Sequence, residues 1–125
     1  MKLICLPYEF SVLKVSDLSQ VDLGMEFFFI ARTDDELSVV CPTSNAHEIT
    51  DQVVCEDGWR GFKIDGILDF GLIGILSKIS GILAEAKIGI FAVSTYNTDY
   101  ILVKQENFAR ASETLAAAGY EVTDM

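Results

Sequence analysis

The chain has 125 residues, half of them hydrophobic, with 19 acidic and nine Lys or Arg side chains for a net charge of −10. That length allows one compact domain or two very small units sharing a core, and the apolar content excludes a disordered tail as the main content. The negative field repels a phosphate backbone and an anionic bilayer, so neither nucleic acid nor a membrane is expected as a partner.

The first residues, Met1–Pro7, hold too short an apolar run for a secretory signal. Phe10–Val15 reads as a strand, and Asp17–Leu23 as at most one helical turn. Glu26–Arg32 and Leu37–Cys41 form a predicted hairpin across Asp34, Asp35 and Glu36. Pro42–Asp57 reads as loop, with a turn around Ser44–His47. Trp59–Ile64 begins a better-defined second half as a short strand that ends at Asp65-Gly66.

From Asp69 to Ala86 the apolar residues Leu72, Leu76, Ile79, Leu83 and Ala86 recur at steps of four and three, which predicts an amphipathic helix. Asp69 is its expected N-cap. Gly71, Gly74 and Gly81 weaken a helix, so close packing or close backbone approach is the expected reason for them. Strands are predicted at Ile88–Ser94 and Tyr100–Lys104, around a turn at Tyr96–Asp99. A helix over Glu106–Ala118 stops at Gly119, and Tyr120–Val122 is a last short strand. The order β-α-β-β-α-β defines an α+β class, the ferredoxin-like split βαβ sandwich with both helices on one face of an antiparallel sheet.

An internal repeat is also expected. Phe27–Cys41 lies on Ile90–Lys104 without a gap, which sets Glu36 on Asp99. The chain is thus read as a degenerate, β-rich unit over residues 1–57, followed by a complete unit over 58–125.

Within Trp59–Val103, the helix followed by Ala86-Lys87-Ile88-Gly89-Ile90 and the hairpin Ser94-Thr95-Tyr96-Asn97-Thr98-Asp99-Tyr100 resemble the ACT domain. The resemblance is to a subfamily of small tandem ACT-like proteins, akin to cytosolic arginine sensors and aspartate kinase regulatory domains. Arg32–Val40 is similar to the same subfamily in the first half. The resemblance implies a ligand held between the strand–helix loop of one ACT unit and a strand of another. Here the loop is Asp69, Phe70, Gly71, Leu72 and Ile73, and the hairpin side is Ser94, Thr95, Tyr96, Thr98 and Asp99. Ser38 and Val39 are the further candidates on the other unit.

A glycine at a free helix start lets a carboxylate reach unpaired N–H groups. Asp99 suits a ligand ammonium, and the threonine hydroxyls suit hydrogen bonds; against this, Asn97 and Asp99 are turn formers for backbone reasons alone. The lone His47 has no CxxC or HExxH partner, so no metal site is expected. Cys5, Cys41 and Cys55 read as reduced thiols of a cytoplasmic protein, with Cys5 and Cys41 in strand-like apolar runs. No nucleophile–base pair or carboxylate pair stands out, so no enzyme activity and no cofactor are expected. An acylphosphatase would need an arginine beside a phosphate-cradling loop, and an RNA-binding sheet would need basic residues among exposed aromatics. The expected function is a regulatory module that binds an amino acid or similar small molecule and acts through ligand-dependent assembly or partner contacts. The high apolar fraction points to a homodimer, and a ligand-free dimerisation module is the alternative.

Overall fold

A computed structural model describes residues 1–67 and 73–125. The chain divides into two compact units, Tyr8–Trp59 and a second made of Arg60–Met125 together with Met1–Pro7.

In the Tyr8–Trp59 unit, β2 (Phe10–Val15) is central. It pairs antiparallel with β4 (Leu37–Pro42) on one side and with the first part of β5 (Gln52–Ile64) on the other. β3 (Phe29–Arg32) pairs antiparallel with β4 at the edge. The sheet order is that of a ferredoxin-like unit. No long helix covers it; a single turn, α1 (Thr43–Ala46), and the connecting loops do so instead. Leu13, Val15, Val39, Cys41 and Ala46 are buried together there, with Ile49 and Val21 closing the cluster.

The last part of the region expected as loop, Gln52 to Asp57, is therefore strand, while the turn expected around Ser44–His47 is α1. Asp57-Gly58 looks like a turn signal, but it is a bulge: two β5 residues stand opposite the single Ser11 between the pairs Val12↔Glu56 and Phe10↔Trp59. Gly58 has φ +85°, a conformation that glycine adopts without strain.

In the second unit the sheet order is β6 (Phe91–Ser94), β7 (Asp99–Lys104), β5, β1 (Lys2–Cys5), β8 (Glu121–Asp124). The last strand was expected beside β5. That place is held by β1, antiparallel to β5 with Leu3 opposite Ile64, and β8 lies outside it, parallel to β1. Four residues carry too little alternation to announce a central strand, yet Leu3 is fully buried and Cys5 nearly so. Helices α2 (Ile75–Glu85) and α3 (Phe108–Ala117) supply Ile79, Leu83, Ala111 and Leu115 to the same core as Phe62, Ile64, Ile101 and Val103. Fully burying one such aliphatic side chain stabilises the fold by about 1.5–3 kcal/mol.

The N-cap of α2 is Gly74, and no side chain caps it; Asp69, the expected cap, lies outside the described residues. Gly74 is required by its φ of +81°, and a Cβ at Gly74 or at Gly81 would meet nothing within 4 Å. Close packing is thus not the reason for either. Gly119 ends α3 at φ +103°, as expected of a helix stop.

The two hairpins are equivalent, but one residue away from the expected alignment. Thr33 N–H donates to the Glu36 carbonyl, and Thr95 N–H donates to the Thr98 carbonyl, each at 2.9 Å. The first hairpin closes at Arg32↔Leu37 and the second at Ser94↔Asp99. Glu36 therefore corresponds to Thr98, and Leu37 to Asp99. In this register Val39, Val40 and Cys41 fall on Ile101, Leu102 and Val103, and all six are buried.

Candidate ligand site

The turn between β6 and β7 meets the end of β5. The Thr98 hydroxyl donates to the Ile64 carbonyl at 2.7 Å in a buried setting. Ile64 is the last residue of β5, so this bond ties the turn to the start of the β5–α2 connection.

The bond also commits Thr98 to structure, since its residue is almost wholly buried. The Thr95 hydroxyl is likewise used inside the turn, donating to the Thr98 carbonyl at 2.9 Å. Asp99 is half-buried at the start of β7, and its carboxylate has no hydrogen bond or ion pair among the described residues. Ser94 is exposed opposite it, and Tyr96 projects from the turn with 80% of its surface exposed.

Of the loop candidates, Asp69, Phe70, Gly71 and Leu72 lie outside the described residues. Ile73 is described, is 95% exposed, and lines a cavity of about 270 Å³. The cavity opens between the first turn of α2 (Ile75, Lys78) and the end of α3 at Ala118, with Met1 and Tyr120 completing the wall. β1 runs antiparallel to β5 and starts where β5 ends, so the cavity and the Thr98 turn share one rim of the unit. In the other unit, Val39 is fully buried in the core, while Ser38 is half-buried between Lys14 and Ala31 in the sheet.

A polar cluster invisible in the sequence sits in the Tyr8–Trp59 unit. The bulge turns Asp57 toward Ser11, whose hydroxyl donates to one carboxylate oxygen. Thr43 donates to Ser11 Oγ at 2.9 Å, and Cys55 Sγ donates to the same Asp57 oxygen at 3.3 Å. His47 Nε2 reaches the other oxygen at 2.9 Å. Hydrogen bonds from Ser11, then His47, then Cys55 hold the Asp57 carboxyl down at about 2. Burial, reinforced by the nearby Asp57 carboxylate, pushes the Cys55 thiol up. Burial and the neighbouring Cys55 push Cys41 to about 11.

Ser11 and His47 each bond to Asp57, not to one another, and Ser11 has no exposed surface. The cluster is a clasp that fastens α1 to β5. No sequence signal could have found it, because its members come from three separate elements. Among the described residues no group of His, Cys, Asp and Glu is placed to hold a metal ion.

The ACT domain family model matches residues 54–117. A crystal structure of protein Atu0741 from Agrobacterium tumefaciens is 32% identical, with a TM-score of 0.86 over 99% of this chain and 92% of that one. The regulatory subunit of aspartate kinase from Thermus thermophilus, in its ligand-free form, is 6% identical with a TM-score of 0.65, over 95% and 97% of the two chains. A structure of aspartokinase alpha and beta subunits is 15% identical with a TM-score of 0.70, over 94% and 97%. No curated protein is significantly similar in sequence.

The chain belongs to the ACT domain family. Domains of this family are generally regulatory modules that bind small ligands and are not themselves catalytic. No described helix is long and apolar enough to cross a membrane.

Proposed function

We propose that this protein is a non-catalytic regulatory module that binds an amino acid or a similar small molecule and acts by changing its own assembly or its contacts with a partner. A homodimer in the cytoplasm is the expected working form, with no nucleic acid or membrane partner. The observation that carries this reading is the Asp99 carboxylate, half-buried at the start of β7 next to the Thr98–Ile64 bond and without a hydrogen bond or ion pair among the described residues. An amino acid's ammonium is the natural partner for that carboxylate. The likeness to the regulatory subunit of aspartate kinase supports the regulatory part of the reading.

The test is a thermal-shift screen of wild type and Asp99→Ala against the common amino acids, followed by titration calorimetry on any hit. Truncation should leave folding intact and weaken binding by about tenfold to a hundredfold, the worth of one charge-assisted hydrogen bond. Wild type that binds none of the amino acids would instead support a ligand-free structural module. The use of the Thr95 hydroxyl inside the turn is the observation on the side of that second reading.

A further inference from the structure

We propose that the cavity beside the first turn of α2 takes a small organic carboxylate with an uncharged, aliphatic body, and that Lys78 holds the carboxylate. The proposal rests on the regulatory reading above and assigns the polarity of its ligand.

The argument starts from the wall. Met1, Ile73, Ile75 and Tyr120 give the cavity apolar sides, Ala118 and Gly119 add no polar side chain, and Lys78 is the one charged residue of the lining among the described residues. The volume, about 270 Å³, is at the small end of ligand pockets, where an amino-acid-sized molecule fits and a nucleotide does not.

The sign of the charge matters more. The chain carries 19 acidic residues against nine Lys or Arg, yet among the described residues this wall contains a base and no acid. The Lys78 ammonium has no ion pair with any described carboxylate, so its charge is available to a ligand. Lys78 is exposed, and a lysine at an apolar edge usually lays its aliphatic stem along the wall and keeps its charged head in water. An aliphatic body buried inside with a carboxylate at the mouth meets both requirements. A cationic side chain would be repelled by Lys78. A ligand ammonium is not needed in this cavity, which separates the proposal from the role assigned to Asp99.

The experiment is titration calorimetry on the full chain with leucine, isocaproate and leucinamide. These share one aliphatic body and carry respectively both charged groups, the carboxylate alone and the ammonium alone. Wild type, Lys78→Gln, Lys78→Arg and Asp99→Ala are compared, after melting curves establish that each variant is folded. Isocaproate and leucine should bind wild type, and leucinamide should not. Lys78→Gln should weaken isocaproate about tenfold to a hundredfold, and Lys78→Arg should restore most of the loss. Equal isocaproate binding by wild type and Lys78→Gln overturns the assignment, as does failure of wild type to bind either carboxylate. If leucine binding is lost in Asp99→Ala but unaltered in Lys78→Gln, the cavity assignment fails while the regulatory reading survives.

Discussion

Replacing Thr98 with valine keeps the shape of the side chain and removes only the donor that ties the β6–β7 turn to β5. Thr98 is 3% exposed, and its 2.7 Å bond to the Ile64 carbonyl is buried, so water cannot readily take the place of the lost hydroxyl. Leaving a buried acceptor without its donor costs about 1–3 kcal/mol. For a chain of this size that lowers the melting temperature by roughly 3–15 °C. Thr98→Ser keeps the hydroxyl and gives up one methyl group, at about 0.8 kcal/mol, so serine should be tolerated better than the more apolar valine. Thr95→Val makes a useful control. Thr95 is exposed, solvent can replace its turn bond, and its expected effect is about 0.5 kcal/mol or less. The assay is thermal unfolding followed by circular dichroism. A valine variant as stable as the serine variant, or a Thr95→Val loss as large as that of Thr98→Val, would refute the claim that this bond anchors the turn.

Ile79→Asp should abolish the cooperative unfolding transition of the unit containing α2. Ile79 has no exposed surface, and an unpaired buried carboxylate costs several kcal/mol, a large part of a small domain's margin. Leu76→Asp, on the same helix but only partly buried, should melt lower and still fold; calorimetry of the two variants separates them. The Asp57 clasp predicts a pH dependence. Its folded-state carboxyl is held at about 2, below the ordinary 3.8, so its contribution is fully present above about 4 and is lost as pH falls toward 2. Asp57→Asn should remove that contribution, and urea midpoints measured from pH 6 down to pH 2 should fall less steeply in this window than those of wild type.

Much of this protein is legible in its sequence, because much of it is governed by local pattern. The stripe through Leu76, Ile79 and Leu83 marked α2, since a helix that buries one face must repeat near 3.6 residues. Gly119 marked the end of α3, since only glycine takes φ +103° without strain. The hairpin turns were visible as polar interruptions between apolar runs, though their register slipped by one residue. Both strands are apolar at most positions, and it is the Thr-anchored turns that fix the pairing.

What sequence could not decide depends on residues that are distant along the chain. Nothing in Lys2–Cys5 announces a strand that separates β5 from β8, because its place is set by the free edge of β5 and by the space that Leu3 and Cys5 fill in the core. The Asp57-Gly58 pair reads as a turn, and only its partner Ser11 reveals it as a bulge inside a 13-residue strand. The candidate site divides in the same way. Asp99 and the turn threonines were named through the resemblance of Ser94–Tyr100 to an ACT hairpin, whereas the commitment of the Thr98 hydroxyl to Ile64 and the gathering of Met1, Lys78 and Tyr120 around one cavity are decided by tertiary structure alone. Local sequence determines which residues share a face of a helix or strand; packing determines which faces meet and which polar groups are left over for a ligand.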